Sequence, residues 1–150
     1  MTLPKSFSEL VSNLTLLPGV GEKTAERYVY ALCDKEFDEV ENLANALVNF
    51  KKNIRNCKIC GCLSDTDECD ICSNESKSND TICVVEDSKS VFFIEKTGKY
   101  NGKYHVINGL ISPIEGINPE DLNIESLINR IDSSVKEIII ALNPSIEGEV

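Results

Sequence analysis

Two Cys-x-x-Cys pairs, Cys57/Cys60 and Cys69/Cys72, lie eight residues apart within the stretch CKICGCLSDTDECDIC. No other feature limits the fold as tightly. Two such knuckles bring four thiolates to one tetrahedral Zn²⁺ at about 2.3 Å, and a closed four-sulfur site is structural rather than catalytic. Without a metal the stretch is polar and has almost nothing to fold around. Metal binding supplies on the order of 10–16 kcal/mol in small knuckle peptides. The competing readings are bare reduced thiols or a redox pair. A redox Cys-x-x-Cys is a single motif at a helix start, whereas two occur together here. Seven cysteines in a secreted chain would suggest disulfides, but the opening MTLPKSFSEL is no signal peptide, so reduced thiols in the cytoplasm are expected. Cys62 is left over, as a spare thiol or as an alternative ligand beside Cys60. Cys33 and Cys83 fall inside apolar elements and read as small buried hydrophobes.

The hydrophobic period changes across this cluster. Before it, residues 6–16 place Phe7, Leu10, Val11 and Leu14 at helical spacing, with Ser6 as N-cap. LPGVG breaks that helix. A second helix follows over 22–33 with Ala25, Tyr28, Val29 and Leu32 on its apolar face. A third, over 37–54, is expected to bury Val40, Leu43, Ala44, Leu47, Val48 and Ile54. After the cluster and a polar linker at 73–80, strands are predicted over 81–86, 104–108 and 136–142. Helices are predicted after Asp87, ending at Gly98, and over 124–131. Alternating strands and helices imply a parallel sheet. No apolar run approaches the roughly 18–20 residues that cross a bilayer, so no membrane partner is expected.

The turn LPGVGEKTAERY, residues 17–28, is the candidate nucleic-acid site. Gly19 and Gly21 let the backbone approach a phosphate. The start of the second helix adds unpartnered N–H groups and a partial positive charge. Lys23 and Arg27, at i and i+4, share one face. The alternative is an ordinary helical corner, with both cations solvated or paired to Glu22 and Glu26. The chain's net charge of −10 disfavours tight, unaided binding to a polyanion. The charge is uneven, however: residues 1–56 carry seven basic and eight acidic side chains, a net of −1, leaving −9 on the rest. One copy of such a site binds DNA weakly; several copies around one polymer do not.

At the predicted sheet edge, Glu86 ends the first strand, and NPSIEGE after the third strand supplies Glu147 and Glu149. Carboxylates at that edge can hold Mg²⁺ for phosphoryl transfer, as in a nuclease or topoisomerase. Asn143 and Ser145 are neutral where a metal site wants charge, which favours an acidic, partner-facing patch with no catalytic residue. His105, the sole histidine, has no obvious Cys or Ser partner and reads as structural.

Taken in order, LPGVGEKTAERY, CKICGCLSDTDECDICSN, GKYHVINGLISPIEGINPEDL and ALNPSIEGE resemble the RecR family of bacterial recombination mediators over nearly the whole chain. The resemblance implies an α+β multi-domain protein. It has a helical helix-hairpin-helix domain over 1–55, a small four-cysteine zinc finger over 56–78 and a partial α/β Toprim domain with a parallel sheet over 79–150. In Toprim enzymes the third strand runs into a pattern like Asp-Pro-Asp-x-Glu-Gly-Glu; here Asn143 and Ser145 replace both Asp residues. The resemblance further implies a non-enzymatic, cytoplasmic and nucleoid-associated protein. Its partners are DNA, RecO and often RecF, with which the family loads RecA onto single-stranded DNA coated by single-strand-binding protein. Gly19, Gly21, Lys23 and Arg27 would contact the DNA backbone, Cys57, Cys60, Cys69 and Cys72 would hold one Zn²⁺, and the sheet domain would meet RecO. Family members form homo-oligomers, from dimers to ring tetramers. Their chains continue past the point matching Val150, so a truncation is expected in which the hairpin dimer contact survives and ring closure is impaired.

Overall fold

The computed structural model describes residues 3–150. Two compact units result, one up to Lys52 and one from Asn53 to Val150. The first holds three helices: α1 (Lys5–Leu14), α2 (Glu22–Cys33) and α3 (Phe37–Asn53). Helix α1 begins after Pro4 rather than at Ser6; proline lacks the N–H a helix interior needs and so marks the boundary. Val11 of α1 and Ala25 and Val29 of α2 form a small core, with Phe7, Leu14 and Val20 packed around it.

Two expectations for this unit fail. Helix α3 has no buried residue, and Leu43, Leu47, Val48 and Phe50 are all exposed. Its apolar stripe is real, but among the described residues nothing covers it. Cys33 is likewise exposed at the end of α2, and Leu10 and Tyr28 lie at the rim of the core rather than inside it. Two short helices cross over too little area to enclose every residue on their apolar faces.

In the second unit, β1 (Arg55–Asn56) and β2 (Leu63–Ser64) form an antiparallel ribbon, followed by the short helix α4 (Asp70–Ser73). The sheet contains β3 (Thr81–Val85), β4 (Lys103–Val106) and β5 (Glu137–Ala141). It is parallel throughout, in the order β4-β3-β5. Helix α5 (Ser88–Lys96) starts at Asp87, whose carboxylate accepts from Ser90 N–H at 2.8 Å. A 3₁₀ turn (Pro119–Asp121), α6 (Glu125–Arg130) and α7 (Ile146–Glu149) complete the chain.

The two faces of β3 feed two cores. Ile82 and Val84 pack with Ile107, Leu110, Ile124 and Leu127. Cys83 and Val85 pack with Val91, Tyr104 and Val106, and that cluster also contains Cys57, Cys60, Cys62 and Cys69. The cysteine knuckle and the sheet therefore share one core rather than folding side by side. The intervening linker is also tied down: Lys77 Nζ donates to Glu95 Oε1 at 2.7 Å, and Tyr104 Oη donates to the same oxygen at 2.7 Å.

Candidate metal centre and nucleic-acid interface

The turn before β2 brings Cys57 and Cys60 together, and α4 presents Cys69 at its N-cap and Cys72 within its only turn. Their four ligand atoms lie within 4.8 Å of one another. The sulfurs are 3.6 Å apart for Cys60 and Cys69 and 3.8 Å for Cys57 and Cys72. An ion with tetrahedral bonds of about 2.3 Å separates its sulfurs by about 3.8 Å, so the cluster fits one Zn²⁺. Backbone N–H groups support the sulfurs: Cys69 N–H donates to Cys57 Sγ at 3.3 Å and Cys72 N–H to Cys69 Sγ at 3.5 Å.

The thiols polarise one another. A hydrogen bond from Cys60 holds Cys69 far below the usual thiol range. The same pairing raises Cys60 strongly, and Cys72 is pushed up to about 12. Zinc binding to such a set must displace the protons that the sulfurs share. Cys62 lies outside the quartet; it is buried, its thiol is raised by burial, and its role is packing.

In the helical unit, Gly19 has φ +80° and a Cβ there would meet nothing within 4 Å, so the turn is open to an approaching ligand. Gly21 is the N-cap of α2 and provides no side-chain cap. Lys23 and Arg27 are both exposed. Among the described residues neither forms an ion pair, with Glu22, Glu26 or any other carboxylate. The Arg27 guanidinium lies 5.7 Å from the Tyr28 ring centroid.

The three sheet-end carboxylates do not converge. Among the described residues the only group of three or more potential metal ligands is the cysteine quartet. Glu86 Oε2 accepts from Asn143 Nδ2 at 2.7 Å, Glu147 lines an apolar groove beside Val84 and Ile140, and Glu149 is exposed on α7. One Glu86 oxygen is thus held by the neutral amide at position 143.

His105 is fully buried in β4. Its Nδ1 accepts from Arg130 at 2.8 Å and its Nε2–H donates to the Asn123 carbonyl at 2.7 Å. Ser126 Oγ does lie 3.3 Å from Nε2, contrary to the expectation of no serine nearby, but that hydroxyl is committed to Asn123 Oδ1. Burial, and Arg130 after it, push the imidazole below its usual range, so it is a neutral structural group.

The residue that sequence reasoning missed is Lys103. It falls one position before the strand predicted over 104–108, and a lysine among aromatic neighbours gave no signal. It is only 6% exposed.

Comparison with known proteins follows the same order of parts. Residues 7–51 match the RecR helix-hairpin-helix family, residues 54–74 match the RecR zinc finger domain with four cysteine ligands, and residues 80–150 match the Toprim domain. "Recombination protein RecR" of Finegoldia magna is 49% identical over 148 residues, covering 98% of this chain and 73% of that protein. Its counterpart in Staphylococcus saprophyticus is 46% identical over 150 residues, covering 99% of this chain and 76% of the relative. No helix among the described residues is long and apolar enough to cross a membrane. With its helical hairpin, four-cysteine zinc site and parallel Toprim sheet in this sequence and geometry, the chain belongs to the RecR family of recombination proteins.

Proposed function

We propose that this protein is a non-enzymatic, DNA-binding mediator of recombinational repair. It grips the sugar-phosphate backbone through the turn at Gly19 and Gly21 with Lys23 and Arg27. The observation that carries this reading is a pair of exposed cations, in no ion pair among the described residues, beside a helix start with no side-chain cap. Free N–H groups, the helix dipole and two cations make a phosphate site that reads no base. The uncovered apolar face of α3 supports self-association through the helical unit, by which a weak single site becomes several sites around one strand. Two copies give a dimer through this face, and in the family's full-length form a second contact between dimers closes the ring tetramer.

The acidic sheet unit then serves protein partners. Glu86, held by Asn143, and Glu147 and Glu149 nearby supply negative charge suited to a basic partner, which we assign to RecO, with RecF acting in the same assembly. In this role the protein works in the cytoplasm at the nucleoid, helping RecA onto single-stranded DNA coated by single-strand-binding protein. The Asn143–Glu86 bond supports a sheet edge without phosphoryl-transfer chemistry.

Replacing Lys23 and Arg27 together by Ala is expected to abolish binding to oligonucleotides without lowering Tm. For partial variants, the slope of log K against log salt should fall by about 0.9 for each phosphate no longer gripped. Fluorescence anisotropy over a salt series reads both quantities. Binding and salt slope unchanged in the double variant would overturn the hairpin as the DNA-binding element.

A further inference from the structure

The zinc knuckle is fastened to one edge of the sheet. Edge strand β4 pairs with β3 on one side only. On its other side Val106 N–H donates to the Cys60 carbonyl at 2.7 Å. Gly61 lies so close that a Cβ there would come within 2.8 Å of the Val106 carbonyl and 2.6 Å of Asn123 Nδ2. From the ribbon, Leu63 N–H donates to Ser88 Oγ at 2.9 Å. The knuckle thus covers a strand edge that would otherwise display unpaired backbone groups.

Lys103 is the unusual element of this junction. Its Nζ donates to the carbonyls of Ile71 at 2.8 Å, Cys72 at 2.9 Å and Asn74 at 2.7 Å. Three N–H donors meet three acceptors, which exhausts the ammonium's capacity. Among the described residues no carboxylate pairs with it. The Ile71 and Cys72 carbonyls are free because α4 ends there and its last C=O groups lack intrahelical partners, while the Asn74 carbonyl also accepts from Lys77 N–H at 3.2 Å.

We propose that Lys103 is a positioning residue that couples zinc occupancy to the edge of the Toprim sheet. With zinc bound, the end of α4 closes on the ammonium and β4 stays covered. When zinc leaves, the knuckle opens and a buried cation loses all its acceptors, a costly state. Strand β4 then frays from its outer side. The same grip, acting in reverse, slows metal release.

The test uses the zinc-loaded full chain. Lys103→Met keeps the apolar stem and removes the donors; Lys103→Arg keeps donors that can reach carbonyls. Each protein is mixed with excess 4-(2-pyridylazo)resorcinol and zinc release is followed by absorbance. Release is expected to be at least about tenfold faster in Lys103→Met, and to return towards the wild-type rate in Lys103→Arg. In parallel, amide exchange is measured on wild-type protein before and after zinc removal. Protection at residues 103–106 should be lost together with that at 69–74, while 137–141 stays protected. Equal release rates for wild type and Lys103→Met would overturn the proposal. So would an arginine variant as fast as methionine, or zinc-free wild type that keeps its protection at 103–106. If Lys103→Met fails to fold by circular dichroism, the wild-type exchange comparison decides alone.

Discussion

The two units of this chain reach order by opposite routes. Among the described residues up to Lys52, three helices enclose only Val11, Ala25 and Val29, and the longest helix buries nothing. From Asn53 onward, a three-stranded sheet is buried on both faces of β3, and one of its cores extends into a metal knuckle. Both sequences are patterned, but pattern states only what would prefer to be covered. In the sheet unit the chain covers β3 and β4 itself, although β5 stays exposed along its length, with Ile140 72% exposed. In the helical unit α3 leaves Leu43, Leu47, Val48 and Phe50 uncovered, an exposed stripe of the kind that marks an interaction surface.

The strongest way to break this contrast is to remove the metal. Changing Cys60 and Cys69 to Ser should abolish zinc binding and forfeit stabilisation on the order of 10 kcal/mol at the knuckle. Residues 54–74 should then lose amide protection while α1 and α2 keep theirs. Loss of protection in both units together would show that they do not stand independently.

A smaller effect tests the uncovered stripe. Leu47→Glu lies on an exposed face, so it should change the stability of the single chain by no more than about 0.5 kcal/mol. It should nevertheless weaken self-association strongly in analytical ultracentrifugation. A large drop in Tm with the assembly state unchanged would mean that α3 is packed within its own chain.

The smallest effect is one of pH, and it belongs to the sheet unit. Burial lowers the His105 pKa, so the folded chain favours the neutral ring while the unfolded chain binds a proton more readily. Stability from this source is therefore full above the unfolded value near 6.5 and declines as pH falls from there towards the folded value. His105→Gln should flatten the Tm profile in that interval. A wild-type profile that rises on acidification through the same interval would contradict the sign. Asp87, held low by Ser90 N–H, acts only at more acidic pH and does not confuse the test.

Much of this fold was legible because local physics wrote it plainly. The 22–33 helix, the three strands and the Asp87 cap follow from period, glycine placement and capping chemistry, and the structure reproduces them with shifts of a residue or two. The cysteine spacing likewise determined which four sulfurs meet, because two knuckles around a tetrahedral ion leave little choice. Tertiary structure alone decided what covers what. It left α3 bare and Cys33 exposed, drew Cys62 into the core and set Asn143 on Glu86. It also aimed Lys103 at three carbonyls some thirty residues away in the chain. Helical period and ligand spacing act over a few residues and can be read in one dimension. Burial and the partner of a charge depend on which distant segments arrive at the same place, and no local pattern records that.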